Sequence, residues 1–167
     1  MKKYIFLGSL SFLLMNCNKK VEANKAVADS DSLTDTTSTV IDTLGSKSFC
    51  YLGVTGKDSV FVSIDDNLGT VTGKMRYKNS EKDSSKGDLA GFKSGDTLKL
   101  TYEFASEGTT SKRDIFFIQK DGTLLEGLGN QKDENGEMKY ANEKNVAYKD
   151  GQKFEAADCA MVSKALK

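Results

Sequence analysis

The sequence predicts an all-β domain, a small antiparallel up-and-down barrel of about eight strands, with a two-sheet β-sandwich as the alternative. Three observations predict it. Beyond Phe49, apolar and polar residues alternate in several runs, as in strands that bury one face. Turn residues punctuate the runs at Asn67-Leu68-Gly69, Ser94-Gly95-Asp96, Asp121-Gly122, Asn135-Gly136 and Asp150-Gly151, and Asn-Gly and Asp-Gly supply the positive φ angles of tight hairpins. No helical pattern of the length a parallel crossover needs lies between them.

Strands are expected near 49–55, 59–65, 70–78, 87–93, 97–105, 111–119, 123–129 and 137–141, with a last segment at 153–159. The first begins where the texture changes, at "FCYLG". "SVFVSI" in the second and "DIFFIQ" in the sixth are apolar on both faces, which implies cover on the outside as well. The third sets Val71, Gly73, Met75 and Tyr77 opposite Thr70, Thr72, Lys74 and Arg76. The fifth does the same with Leu98, Leu100, Tyr102 and Phe104 against Thr97, Lys99, Thr101 and Glu103. Gly73, Gly91 and Gly127 fall inside strand patterns, where glycine marks the bends that curl a sheet.

The chain has 167 residues, room for one ordinary domain. It contains no His, Trp or Pro. The missing His excludes Ser-His-Asp and Cys-His nucleophilic arrangements and denies zinc its usual nitrogen ligand. Basic and acidic residues balance at 24 each, so there is no basic excess with which to bind nucleic acid.

Residues 1–16 read as a signal peptide: Lys2 and Lys3, then an apolar run from Tyr4 to Met15 that is too short to span a bilayer. Leu14-Met15-Asn16-Cys17 resembles the lipobox of bacterial lipoproteins, with Asn16 where a small residue is usual. The resemblance implies cleavage before Cys17, a diacylglyceryl thioether on its sulfur and an acylated amine, so the membrane is a partner through the lipid. It also implies the outer membrane, facing the periplasm, because Asn18 rather than an acidic residue follows Cys17 and lysines follow that. Residues 17–47 are the lipidated cysteine and a Ser/Thr/Asp-rich tether; its scattered apolar residues repeat with no period. Residues 48–160 are the β domain and 161–167 a C-terminal tail.

With Cys17 lipidated in an oxidising compartment, Cys50 and Cys159 are one possible disulfide pair. Two separate buried thiols are the alternative.

Candidate binding residues are Glu107, Arg113 and Glu126. Glu107 and Arg113 flank the connection in "YEFASEGTTSKRD", where they would orient a ligand at a barrel mouth or, more commonly, form a surface ion pair or cap the turn. Glu126 shares a side with Leu124 and Leu128 if its strand is regular. An inward carboxylate needs a partner; a bulge at Gly127 or an edge position, the commoner arrangement, turns it to solvent. "IDDNLG" and "KDENGE" lack the ligand spacing of a calcium loop and read as turns. No cofactor, metal site or catalytic residue is assigned.

"CYLG", "GTVTGKMRY", "GDTLKLTYEF" and "SEGTTSKRD" together resemble a group of small Gram-negative lipoproteins over residues 48–160. Members carry a Cys-Tyr-x-Gly start, a Ser-Glu-Gly loop and a cysteine near the end; the resemblance implies an envelope lipoprotein and transfers no catalytic residues. A looser similarity to lipocalin- and avidin-like barrels rests on architecture alone. The expectation is a non-enzymatic binding or structural module for a small ligand or an envelope protein. A small ligand would need a lumen lined by Val71, Met75, Leu98 and Tyr102. The alternative is a carboxylate-dependent hydrolase of envelope glycans, which needs two converging acids among Glu103, Glu107 and Glu126.

Overall fold

The computed structural model describes residues 45–167. The expected signal peptide, Cys17 and nearly all of the tether lie outside the described residues.

Ten strands form one sheet: β1 (Lys47–Thr55), β2 (Asp58–Asn67), β3 (Thr70–Lys78), β4 (Ser85–Ser94), β5 (Thr97–Ser106), β6 (Thr109–Lys120), β7 (Thr123–Glu126), β8 (Gln131–Glu134), β9 (Glu137–Tyr140) and β10 (Lys153–Ala156). Strands β1 to β7 with β10 close into an eight-stranded antiparallel barrel, because β6 pairs with β5 on one side and β7 on the other while β10 joins β7 to β1. This is the expected barrel, not the sandwich. The closing strand is β10, "KFEA". The segment expected at 137–141 instead pairs with β8 as a hairpin outside the barrel, touching β6 in parallel only at Lys112 and Arg113.

Alternation decides what faces inward. Tyr51, Val60, Val62, Ile64, Val71, Met75, Leu89, Leu98, Leu100, Tyr102, Ile115, Phe117, Leu124 and Phe154 form one buried cluster within the barrel. Val71, Met75, Leu98 and Tyr102, the positions where a ligand lumen would need space, are therefore core: none exposes more than 1 % of its surface. Curling the sheet this tightly brings neighbouring backbones close. At Gly73 an added Cβ would run into the carbonyl of Ser63, and at Gly91 into that of Lys99, so close backbone approach requires glycine at both.

The expectation of a tail at 161–167 is corrected. Cys159–Ala165 is a helix, α1, whose Asp158 side chain caps it by accepting from the Met161 N–H. Val162 and Leu166, one turn apart, pack with outward-facing Cys50 against the wall of β1 and β2. The Arg76 guanidinium donates to the Ala165 carbonyl (2.8 Å) and Lys86 to the Lys167 carbonyl (2.8 Å), placing cations at the negative end of the helix. Cys50 and Cys159 form the disulfide, 109 residues apart in sequence with Cα atoms 5.2 Å apart. Closing so long a loop stabilises the fold by about 4–5 kcal/mol in the chain-entropy model.

The strand directions give the barrel two distinct ends. At the entry end the chain starts β1 at Lys47, and the β2–β3, β4–β5 and β6–β7 turns cluster. The far end carries the β1–β2 and β5–β6 turns, the β3–β4 connection and the long excursion from β7 to β10 that holds β8 and β9.

Candidate functional site

The inward row of each strand continues past the apolar core to the barrel's far end, and there it becomes polar. On β6, Arg113 shares its parity with Ile115 and Phe117, and it lies directly across from Tyr102 of β5. On β7, Glu126 shares its parity with Leu124 and lies across from Phe117. On β3, Tyr77 follows Met75 on the same side and lies across from Val60. Register therefore brings two charges and two phenols together from four strands.

The Arg113 guanidinium donates to the Tyr77 hydroxyl at 2.7 Å. Its carbon lies 5.7 Å from the Tyr77 ring centroid and 6.0 Å from that of Tyr102, within reach of a cation–π attraction. Phe104 stacks on Tyr102 at 4.7 Å, and the Tyr102 hydroxyl donates to the Met75 carbonyl at 3.1 Å. The Arg113–Glu126 pair is loose, 3.8 Å, although only 30 % of the arginine side chain and 13 % of the glutamate side chain are exposed. Among the described residues neither oxygen of that carboxylate takes a direct hydrogen bond from the protein, and no side-chain oxygen or nitrogen that is fully buried lacks one, so the carboxylate opens to solvent at the mouth. Burial pushes the Glu126 carboxyl above its ordinary range, and Arg113 opposes the shift without cancelling it. Tyr77 is raised as well, first by burial and then by the negative charge of Glu126.

Of the three sequence candidates, Arg113 and Glu126 meet and Glu107 does not join them. The reading that a bulge or edge position turns Glu126 to solvent is corrected. β7 stays regular to its end, where the Glu126 N–H donates to the Gln152 carbonyl, and the Gly127 N–H donates to the Phe116 carbonyl. Glycine is needed at 127 because a Cβ would meet the Val146 side chain. Glu107 occupies the β5–β6 turn with φ 51°, beside Asp83; a hydrogen bond with that carboxyl and its like charge raise the Glu107 pKa. Arg113 is thus no ion-pair partner for it. Glu103 faces outward and pairs with Lys112 at 3.0 Å. The three glutamates considered for hydrolysis occupy three separate environments. The sequence reading missed Tyr77 as a site residue, although its parity with Met75 placed it inside.

The entry end has its own polar plug, and in this one the carboxylate is hydrogen-bonded. Lys93 donates to Gln119 (2.7 Å), and Gln119 donates to the Tyr51 hydroxyl (2.8 Å). Lys93 also lies 3.7 Å from Asp66, whose other oxygen accepts from the Gly69 N–H at 2.8 Å, and its ammonium lies 6.0 Å from the Phe49 ring.

Clefts elsewhere lie on the outer surface. One of about 460 Å³ runs between the end of α1 and β2 to β4, lined by Asp65, Lys74, Asp88 and Ser163 among others. Among the described residues, no three His, Cys, Asp or Glu side chains are grouped to hold a metal, and no helix is long and apolar enough to cross a membrane. No protein-family model matches the chain, and no curated protein or solved structure matches it.

Proposed function

We propose that the chain is a membrane-anchored envelope lipoprotein, held by lipid on Cys17, whose barrel acts without catalysis as a binding or structural module and engages its partner at the far mouth. One observation carries the reading: the interior is filled with side chains, while the far mouth holds a half-buried arginine and a carboxylate that lacks a direct hydrogen bond. A filled barrel leaves no lumen for a small ligand within it. An acceptor that is largely withdrawn from water, open to it at the mouth and unbonded within the protein, favours a partner that brings a donor to it.

The Cys50–Cys159 bridge suits an oxidising envelope compartment, and it leaves neither thiol for nucleophilic work. A two-carboxylate hydrolase needs a second acid facing the first, and the charged group facing Glu126 is Arg113.

The anchor is tested by fractionation: Cys17→Ser is expected to abolish acylation and release a soluble or uncleaved chain. Unchanged membrane association and mass in that variant would refute it. Cleavage of envelope glycans that disappears in Glu126→Gln would replace the non-enzymatic reading with the hydrolase.

A further inference from the structure

The β2–β3 turn at the entry end does something that hairpin stability does not ask for. Its two central residues, Leu68 and Gly69, both have positive φ, 53° and 88°, a turn in which Asn-Gly or Gly-Gly is unstrained. A branched side chain in the left-handed region is an outlier. Packing does not compensate for it, since Leu68 is 76 % exposed, the most open large apolar residue among those described. The turn is nevertheless held firmly: the Gly69 carbonyl accepts from the Lys93 N–H at 2.8 Å, and its N–H donates to Asp66. Phe92, 54 % exposed, stands on the outer face of β4 directly across from Thr70. Two apolar side chains are thus presented at one end of the barrel on rigid supports.

That end is where the chain enters from the segment bearing Cys17. We propose that the Leu68 turn, with Phe92 beside it, is a membrane-contact tip that inserts into the bilayer interface and seats the barrel with its far mouth pointing away from the lipid. This rests on the anchoring reading above. A single lipid attachment some thirty residues before β1 does not by itself select an orientation for the barrel. Insertion of apolar side chains selects one orientation. Around the tip, Lys47, Lys93 and Lys120 are outnumbered by Asp65, Asp66, Asp96 and Asp121, so there is no basic excess. Contact is therefore apolar rather than electrostatic, and it does not require anionic lipid.

The chain contains no tryptophan, so Leu68→Trp installs a single reporter. The lipidated full-length variant is reconstituted into phosphatidylcholine vesicles with and without brominated acyl chains. Interfacial side chains sit roughly 5–10 Å into the headgroup boundary, so about half or more of the emission should be quenched. Val54→Trp, at the far end of β1 and 61 % exposed in the native chain, should keep its emission. Phe92→Trp, on a regular strand, serves as a second reporter should the turn variant misfold. Vesicle-bound protein whose Leu68→Trp and Phe92→Trp reporters are not quenched overturns the tip and leaves it free for a protein partner; equal quenching at both ends also overturns it. A chain that does not float with vesicles removes the anchor itself, and the tip falls with it.

Discussion

Both ends of the barrel are closed by a cation, a carboxylate and aromatic rings, yet the two plugs are built to different standards. At the entry end Lys93 donates to Gln119 and Gln119 to Tyr51, while Asp66, 3.7 Å from Lys93, accepts from the Gly69 N–H at 2.8 Å. At the far end Arg113 spends one good bond on Tyr77 and approaches Glu126 only to 3.8 Å. A buried polar network stabilises when every member is satisfied and is costly when one is not. The entry carboxylate is hydrogen-bonded within the fold whereas the far one is not, and this contrast is what supports the proposal that recognition belongs to the far end.

Removing the bridge that ties α1 to β1 gives the largest effect. Cys159→Ser should lower stability by about 4 kcal/mol, read as a lower urea midpoint at an unchanged slope; a loss under 1 kcal/mol would show that α1 and the barrel hold together without the bridge. Next comes Arg113→Ala, which leaves Glu126 desolvated without its counter-charge. We expect a loss of about 2–3 kcal/mol, at the lower edge of what breaking a buried pair costs, because the arginine is partly solvated.

Glu126→Gln sharpens the contrast through pH. The folded Glu126 carboxyl lies above its ordinary value of 4.5, so the folded state holds that proton more tightly than the unfolded state does. Its stabilising contribution is full below pH 4.5 and is lost as pH rises through the folded value. Thermal melts should show the glutamine variant above wild type at neutral pH, by less than the arginine loss, with the gap closing below pH 4.5. A gap that widens in acid would place the charge–charge attraction above the desolvation. The smallest effect belongs to the entry turn: Leu68→Asn should raise stability by about 0.5–1 kcal/mol by relieving left-handed strain. A loss there would mean that Leu68 contributes to folding.

Strands β1 to β6 were legible because long two-period runs and glycine turns agree with one another, as in "TVTGKMRYK" followed by its partners. β8 was not, since "QKDE" contains no apolar residue and becomes a strand only by pairing with β9. α1 was missed although Asp158 is a capping residue and Val162 and Leu166 share a face; seven residues are too few for periodicity to stand out. The barrel's closing strand is only four residues long, and its place between β1 and β7 is a matter of tertiary pairing. The parity of Arg113 and Glu126 could be read from their own strands. Their meeting could not, because it depends on the register between β5, β6 and β7.

Where the chain resides and what Cys17 carries decide the rest. The most direct test is the intact mass of the native protein isolated from cells. A membrane-bound species is expected, without residues 1–16, enlarged by lipid on Cys17 and lacking two hydrogens for the Cys50–Cys159 bond. A soluble, full-length chain with three free thiols would contradict it.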